Sequence, residues 1–360
     1  MKKYIYIISI FVFIIGCSSD NDGGESAVDD DYTEIPEEVS NNLLNLQIPS
    51  NFPAPTYDIS QNPPTEKGFE LGKKLFYDGK LSSTGVISCG FCHIQEFSFT
   101  HHTHITSHGV NGRIGTRNAQ PLQNLAFAQD FNWDGAASFL DAQPIIPITA
   151  EDEMNESISN VLRKLQEDEN YPILFAQAFG TEGVTSERMF KALSQFMIMM
   201  VAGNSKFDKW QRGESVTFTT DEEAGRSIFE AKCSSCHAGT LQTDHSFRNN
   251  GLPIDPEFND IGRERVTGSP EDNRKFKVPS LRNIDTTFPY MHDGRFRTLR
   301  DVLDFYTNGM VNSPTLDAQF RNADGTIGLE ISNTEKEQLI AFLKTLTDND
   351  FLLDQRFSEF

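Results

Sequence analysis

The pentapeptide Cys89-Gly-Phe-Cys92-His93 has a counterpart of identical spacing at Cys233-Ser-Ser-Cys236-His237. Two thiols separated by two residues can add to the two vinyl groups of one porphyrin, and the adjacent histidine then stands beside the iron as its proximal ligand. A zinc site would need four donors converging on one point, whereas each cysteine pair here carries its own neighbouring histidine. The chain is therefore expected to carry two covalently bound haem c groups, one in each half. That requirement limits the fold, because helices and loops must wrap two rigid plates.

The fifth cysteine is Cys17. It follows a short charged start, Met1-Lys2-Lys3, and an apolar run from Tyr4 to Ile15 that is too short for a comfortable membrane span. Ile14-Ile15-Gly16-Cys17 resembles a bacterial lipoprotein signal, so residues 1–17 are read as a signal peptide and Cys17 as a lipid anchor. An uncleaved anchor or a plain secretory signal is the alternative. With every cysteine occupied, no disulfide is expected. Residues 18–45 are read as a disordered acidic tether, on the Asp, Glu, Ser and Gly content of Ser18 to Glu38. The expected location is the cell envelope, in the periplasm or on the outer surface.

A length of 360 residues suits two domains, each with its own core. We place an N-terminal haem domain at 46–205 and a C-terminal one at 206–360, with the polar stretch Lys206 to Val216 as the boundary. The net charge of −21 argues against nucleic acid as a partner and favours a basic redox protein.

The periodicity predicts a mostly α fold of two cytochrome c-like domains with long loops. A helix is expected over Glu66 to Tyr77, weakened by Gly68 and Gly72. Further helices are expected over Ile158 to Phe179, interrupted at Pro172, and over Ser186 to Val201, whose Met and Phe stripe reads as core. Capping boxes are read at Thr220 to Glu223, Thr298 to Asp301 and Thr334 to Glu337. Between His93 and Trp133 there is little periodicity, which predicts a long ordered loop, and no strand pattern is persuasive.

Phe276-Lys-Val-Pro-Ser-Leu-Arg-Asn283, Pro289-Tyr-Met-His-Asp-Gly-Arg295 with Thr298-Leu299, Arg117-Asn118, and Asn132-Trp133-Asp134-Gly135 closely resemble the bacterial di-haem cytochrome c peroxidase and MauG family. The resemblance implies that the His93 haem is the peroxidatic one and that the His237 haem transfers electrons. It implies that Trp133 relays electrons between them. Glu153 matches the acid/base that moves a proton between the peroxide oxygens, and Gln143 and Pro147 match distal-pocket positions. His101, His102, His104 and His108 lie in the distal loop. Of these, His108 matches best the histidine that ligates the resting first iron in some members, a polar surface loop being the alternative.

At the second haem, Tyr306 stands where the peroxidases have methionine and MauG-like members have tyrosine. A phenolate favours ferric and higher states, whereas a thioether would raise the potential. Met310 as ligand, or a purely structural Tyr306, are the competing readings. The resemblance also implies a Ca2+ between the domains, held by the Asn118 side chain and the carbonyls of Thr287 and Pro289. The implied activity is reduction of hydrogen peroxide with electrons from a small redox protein or an organic donor, and the resemblance leaves room for a homodimer. A MauG-like oxidase of a protein or organic substrate, or a non-catalytic di-haem electron carrier, are the alternatives.

Overall fold

A helix that starts at the Thr65 N-cap, Glu66–Tyr77, turns its Leu71, Leu75 and Phe76 face inward and delivers the chain to Cys89. It crosses the helix Ser186–Ile198 closely. A methyl group on Gly72 would lie 2.0 Å from the Ala192 carbonyl oxygen, so the glycine that weakens the helical pattern is what permits the crossing. The second half repeats the device. The helix Thr220–Lys232 leads to Cys233 and lies against Asn333–Lys344, and a methyl on Gly225 would lie 1.9 Å from the Gln338 carbonyl oxygen.

The computed structural model describes residues 40–101 and 104–360. The signal-like segment, Cys17, the tether as far as residue 39, and His102 lie outside the described residues. Among the described residues no helix is long and apolar enough to cross a membrane. The mostly helical, cytochrome c-like architecture expected from the pattern is present.

Several details differ from expectation. Residues 41–44 are not tether: the Asn42 carbonyl accepts from the Glu66 amide, the Asn41 side chain accepts from the Lys67 amide, and Leu44 donates to the Pro64 carbonyl. Pro172 opens the helix Tyr171–Phe179 rather than interrupting one, because its missing N–H costs nothing in a first turn. Two capping boxes sit one or two residues earlier than read, at Thr219 with Glu222 and Ser332 with Glu335, while Thr298 with Asp301 is as expected. The polar stretch after residue 205 includes a packed helix, Lys206–Gln211, capped by Ser205 and Asp208. A short antiparallel strand pair also forms, Phe247–Arg248 with Phe276–Lys277.

The core has two large parts. One is built on Phe76, Phe99, Phe175 and Phe196, and it takes in Phe351 and Phe357 from the C-terminal tail. The other is built on Phe207, Phe229, Leu339 and Phe342. Burial of each such side chain contributes roughly 1.5–3 kcal/mol.

A charged strut runs between segments of both halves. Arg282, fully buried, makes a two-pronged ion pair with fully buried Asp208, donates to the Thr240 carbonyl at 3.0 Å and lies 4.6 Å over the Phe52 ring. Removing one partner leaves an uncompensated buried charge. Asp208→Asn is expected to lower unfolding stability by about 3–5 kcal/mol in a denaturant titration of the haem-loaded protein.

Candidate functional site: two haem cavities sharing a wall

Ser88 caps the single turn Cys89–Cys92, and the chain leaves it through His93. The His93 ring donates from Nδ1 to the Phe99 carbonyl at 2.6 Å. That carbonyl is presented by two consecutive left-handed residues, Ser98 (φ 56°) and Phe99 (φ 60°). Such a conformation costs on the order of 1–3 kcal/mol per residue and persists only where the surroundings hold it. In the second half His237 Nδ1 lies 3.3 Å from the Gln242 carbonyl and 3.2 Å from that of Pro279. Each ring is thus oriented through Nδ1, which leaves Nε2 as the metal-facing nitrogen. Burial holds both imidazoles below the ordinary histidine pKa, so both are neutral and suited to ligation.

Cys89, Cys92 and His93 line one cavity of about 450 Å³. Cys233, Cys236 and His237 line another of about 590 Å³. Both volumes fall in the ~300–1,000 Å³ range usual for cofactor sites. The thiols, the neutral imidazoles and the cavity sizes fit covalently attached haem at both positions.

The cavities have a common wall. Asn118, Ala119, Pro121 and Trp133 from the first half, with the segment 277–280 from the second, line both. Trp133 is locked there: its indole N–H donates to the Asn118 carbonyl at 2.9 Å, and its own carbonyl accepts from the Lys277 amide at 2.7 Å. The neighbouring Asp134 and the distant Asp260 both pair with Arg117, at 2.7 and 2.6 Å. One guanidinium therefore fixes three segments around the tryptophan.

Gln143, Pro147, Glu153 and His108 all line the first cavity and not the second. Gln143 donates to the Asn132 side chain at 3.1 Å. Burial, helped by the nearby Asp152, pushes the Glu153 carboxyl up to about 7, the value of a group able both to take and to give a proton near neutral pH. The backbone supports it closely, since the Val110 amide donates to the Glu153 carbonyl at 2.8 Å.

In the distal loop the rings of His104 and His108 are 4.0 Å apart, while buried His101 does not line the cavity and its Nδ1 has no hydrogen-bond partner. Burial and the neighbouring histidines bring His101 down to about 4.

At the second cavity the π-helical turn Phe305–Gly309 aims Tyr306 inward. Its hydroxyl accepts from Asn250 Nδ2 at 3.3 Å, and burial pushes its pKa up to about 12. Met310 does not line this cavity: it is buried with Leu252, Phe305 and Leu316. Met291 does line it, and its sulfur lies 3.7 Å from the same Asn250 nitrogen.

Asn250 and Met291 had no assigned role in the sequence. Asn250 sits in no recognisable pattern, and Met291 lies inside a motif read for other residues. Lys277, also within a quoted motif, donates to the Asp130 carbonyl at 2.8 Å, and burial lowers its pKa to about 8.

Asn118 is 7% exposed, donates to the Pro289 carbonyl at 2.5 Å, and leaves its side-chain oxygen buried without a partner. Thr287, two residues before Pro289, is also buried and lines the second cavity. Among the described residues no cluster of three or more His, Cys, Asp or Glu side chains could hold a metal ion.

Two CxxCH cavities on a cytochrome c-like helical scaffold, divided by one tryptophan, define a di-haem c-type oxidoreductase. A family model described as di-haem cytochrome c peroxidase matches residues 66–216, and one for cytochrome c matches residues 222–347. The methylamine utilization protein MauG of Methylorubrum extorquens is 36% identical over 296 residues, covering 79% of each chain. The cytochrome c551 peroxidase of Nitrosomonas europaea is 34% identical, over 79% of this chain and 81% of its own. A crystal structure of a MauG-like protein associated with microbial copper homeostasis superimposes with a TM-score of 0.77 at 31% identity, over 88% of this chain and 99% of that one. The chain belongs to the di-haem cytochrome c peroxidase and MauG family, and it is an oxidoreductase carrying two haem c groups. Replacing Cys89 and Cys92 by Ala, or Cys233 and Cys236 by Ala, is expected to leave one covalent haem per chain, counted by pyridine haemochrome absorbance and intact mass.

Proposed function

We propose that this protein reduces hydrogen peroxide at the His93 haem, with electrons supplied through the His237 haem and Trp133. The observation that carries it is the unequal lining of two cavities that share Trp133. Only the first has a carboxyl poised near neutrality, Glu153, together with Gln143. When bound, the haems supply peroxide O–O cleavage at the first site and electron storage at the second. Glu153 takes a proton from the incoming peroxide and returns it to the departing oxygen. Gln143, tied to Asn132, shapes the pocket. Trp133, its N–H held by a carbonyl, bridges the two sites through a side chain that can be oxidised transiently.

As base, Glu153 must be ionised, so kcat/KM for peroxide should rise with pH through about 7. Glu153→Gln is expected to lower it by roughly 10²–10⁴-fold and to abolish that rise. EPR and optical titration of the di-ferric protein with peroxide tests the function itself. A reactive high-spin haem supports it, and two unreactive low-spin haems would contradict it.

Tyr306 supports a second reading, a MauG-like oxidase that draws electrons from a protein or organic substrate, because an oxygen ligand lowers the second haem's potential. We assign Tyr306 rather than Met310 as that ligand, on its place in the cavity wall. Tyr306→Met should raise the potential of the second haem in a redox titration, and an unchanged potential would remove the assignment. A Ca2+ is proposed at Asn118 with the Pro289 and Thr287 carbonyls. The unpartnered Asn118 oxygen fits such a ligand once its amide turns over. Chelation should perturb the second haem's spectrum in the native protein and leave that of Asn118→Ala unmoved. Placement in the cell envelope through a lipid on Cys17 is part of the same proposal, checked by the mass of the mature N-terminus.

A further inference from the structure

The chain has two tryptophans. Trp133 divides the haem cavities, whereas Trp210 lies at the surface, 36% exposed. Its indole stacks on Phe218 (ring centroids 5.1 Å, 30° between planes) and on Phe207 (6.0 Å, 28°). Both phenylalanines meet Phe342, at 6.3 and 5.7 Å, and Phe342 lies 5.1 Å from Phe229. Phe229 lines the second haem cavity just ahead of Cys233. An unbroken series of ring contacts thus joins a surface indole to the wall of that cavity.

Core packing accounts for the buried phenylalanines, but not for an indole left partly in water at the outer end. The charges around it are also balanced. Arg226 stands 5.1 Å over the Trp210 ring and is paired with Glu223 and Glu230. Lys206, 5.7 Å over the Phe218 ring, is paired with Glu222 at 2.6 Å. An unpaired cation against the ring would oppose removal of an electron, and pairing relieves that opposition.

We propose that Trp210 is a surface redox site at which phenolic one-electron donors, too bulky or too poorly held to enter either cavity, reduce the protein. This rests on the peroxide-reducing function proposed above. After peroxide has oxidised the haem centre, one electron leaves Trp210 along the aromatic contacts toward the second haem, and the indole proton passes to solvent. A phenol then returns an electron and a proton to Trp210 and departs as a phenoxyl radical. Two such events per cycle balance as one H2O2 and two phenols giving two H2O and two phenoxyl radicals. Indole is the side chain in the series that can be oxidised in this way, since the phenylalanine rings between serve only as the medium for electron transfer.

The test uses the haem-loaded full chain treated with hydrogen peroxide and a nitroso spin trap, without donor, followed by peptide mass spectrometry. A trap adduct at Trp210 is expected, and it should form at least tenfold more slowly in Trp133→Phe. With p-cresol as donor, Trp210→Phe should oxidise the phenol at least tenfold more slowly and Trp210→Tyr should restore the rate. An adduct that forms at the native rate without Trp133 would mark mere surface oxidation and overturn the proposal. So would wild-type p-cresol oxidation by Trp210→Phe. Peroxide consumption in the same samples separates the two levels. No consumption overturns both the function and the route, whereas consumption without an adduct at Trp210 overturns the route alone.

Discussion

The relation between the two haem cavities depends on one short segment, Pro279 to Asn283. Its first carbonyl helps to orient His237. Its last side chain reaches into the other half, where Asn283 donates to the Ser98 hydroxyl at 3.1 Å and to Gln123. Ser98 belongs to the strained turn that presents the Phe99 carbonyl to His93. Arg282, between them, is anchored by Asp208 in the interior. A buried ion pair of this kind is weak evidence for stability, because desolvation offsets much of its attraction. Its value here is positional: the two proximal histidines are referred to one rigid strut of fully satisfied polar groups.

With both histidines held in this way, the thin wall between the cavities is defined, and Trp133 is fixed within it by hydrogen bonds at both its indole and its backbone. The difference between the sites then lies in what each cavity adds. The first adds a half-buried carboxyl whose pKa is lifted toward neutrality. The second adds a half-buried Tyr306 whose hydroxyl is held by Asn250, and that phenol stays protonated in a low-dielectric site unless a metal charge compensates its ionisation. In the function proposed above, proton management and electron storage are thereby separated by one indole.

Much of this was legible from residue patterns. The CxxCH spacing is a covalent requirement and therefore announces itself without any fold. The helix before the first site was readable from its apolar face and the one before the second from its capping residues, although Gly72 looked like a flaw until the Ala192 backbone was seen against it. Trp133, Gln143 and Glu153 were named through family resemblance, since nothing local marks a glutamate in an acidic run as part of a cavity wall. Two capping boxes were misplaced because adjacent Ser, Thr and Glu residues offer several registers, and only the backbone chooses among them. Asn250 and Met291 were missed because they act through contacts between segments distant in sequence. The same holds for Asp208, which looked like part of a polar boundary and is buried against Arg282.

The central claim is that Trp133 makes the two haems one redox unit. It is tested most directly by stopped-flow spectroscopy of Trp133→Phe, prepared with the second haem reduced and mixed with hydrogen peroxide. The expected result is that the first haem still reacts, while oxidation of the second falls at least tenfold below the rate in the native protein. Oxidation of the second haem at the native rate would contradict the account.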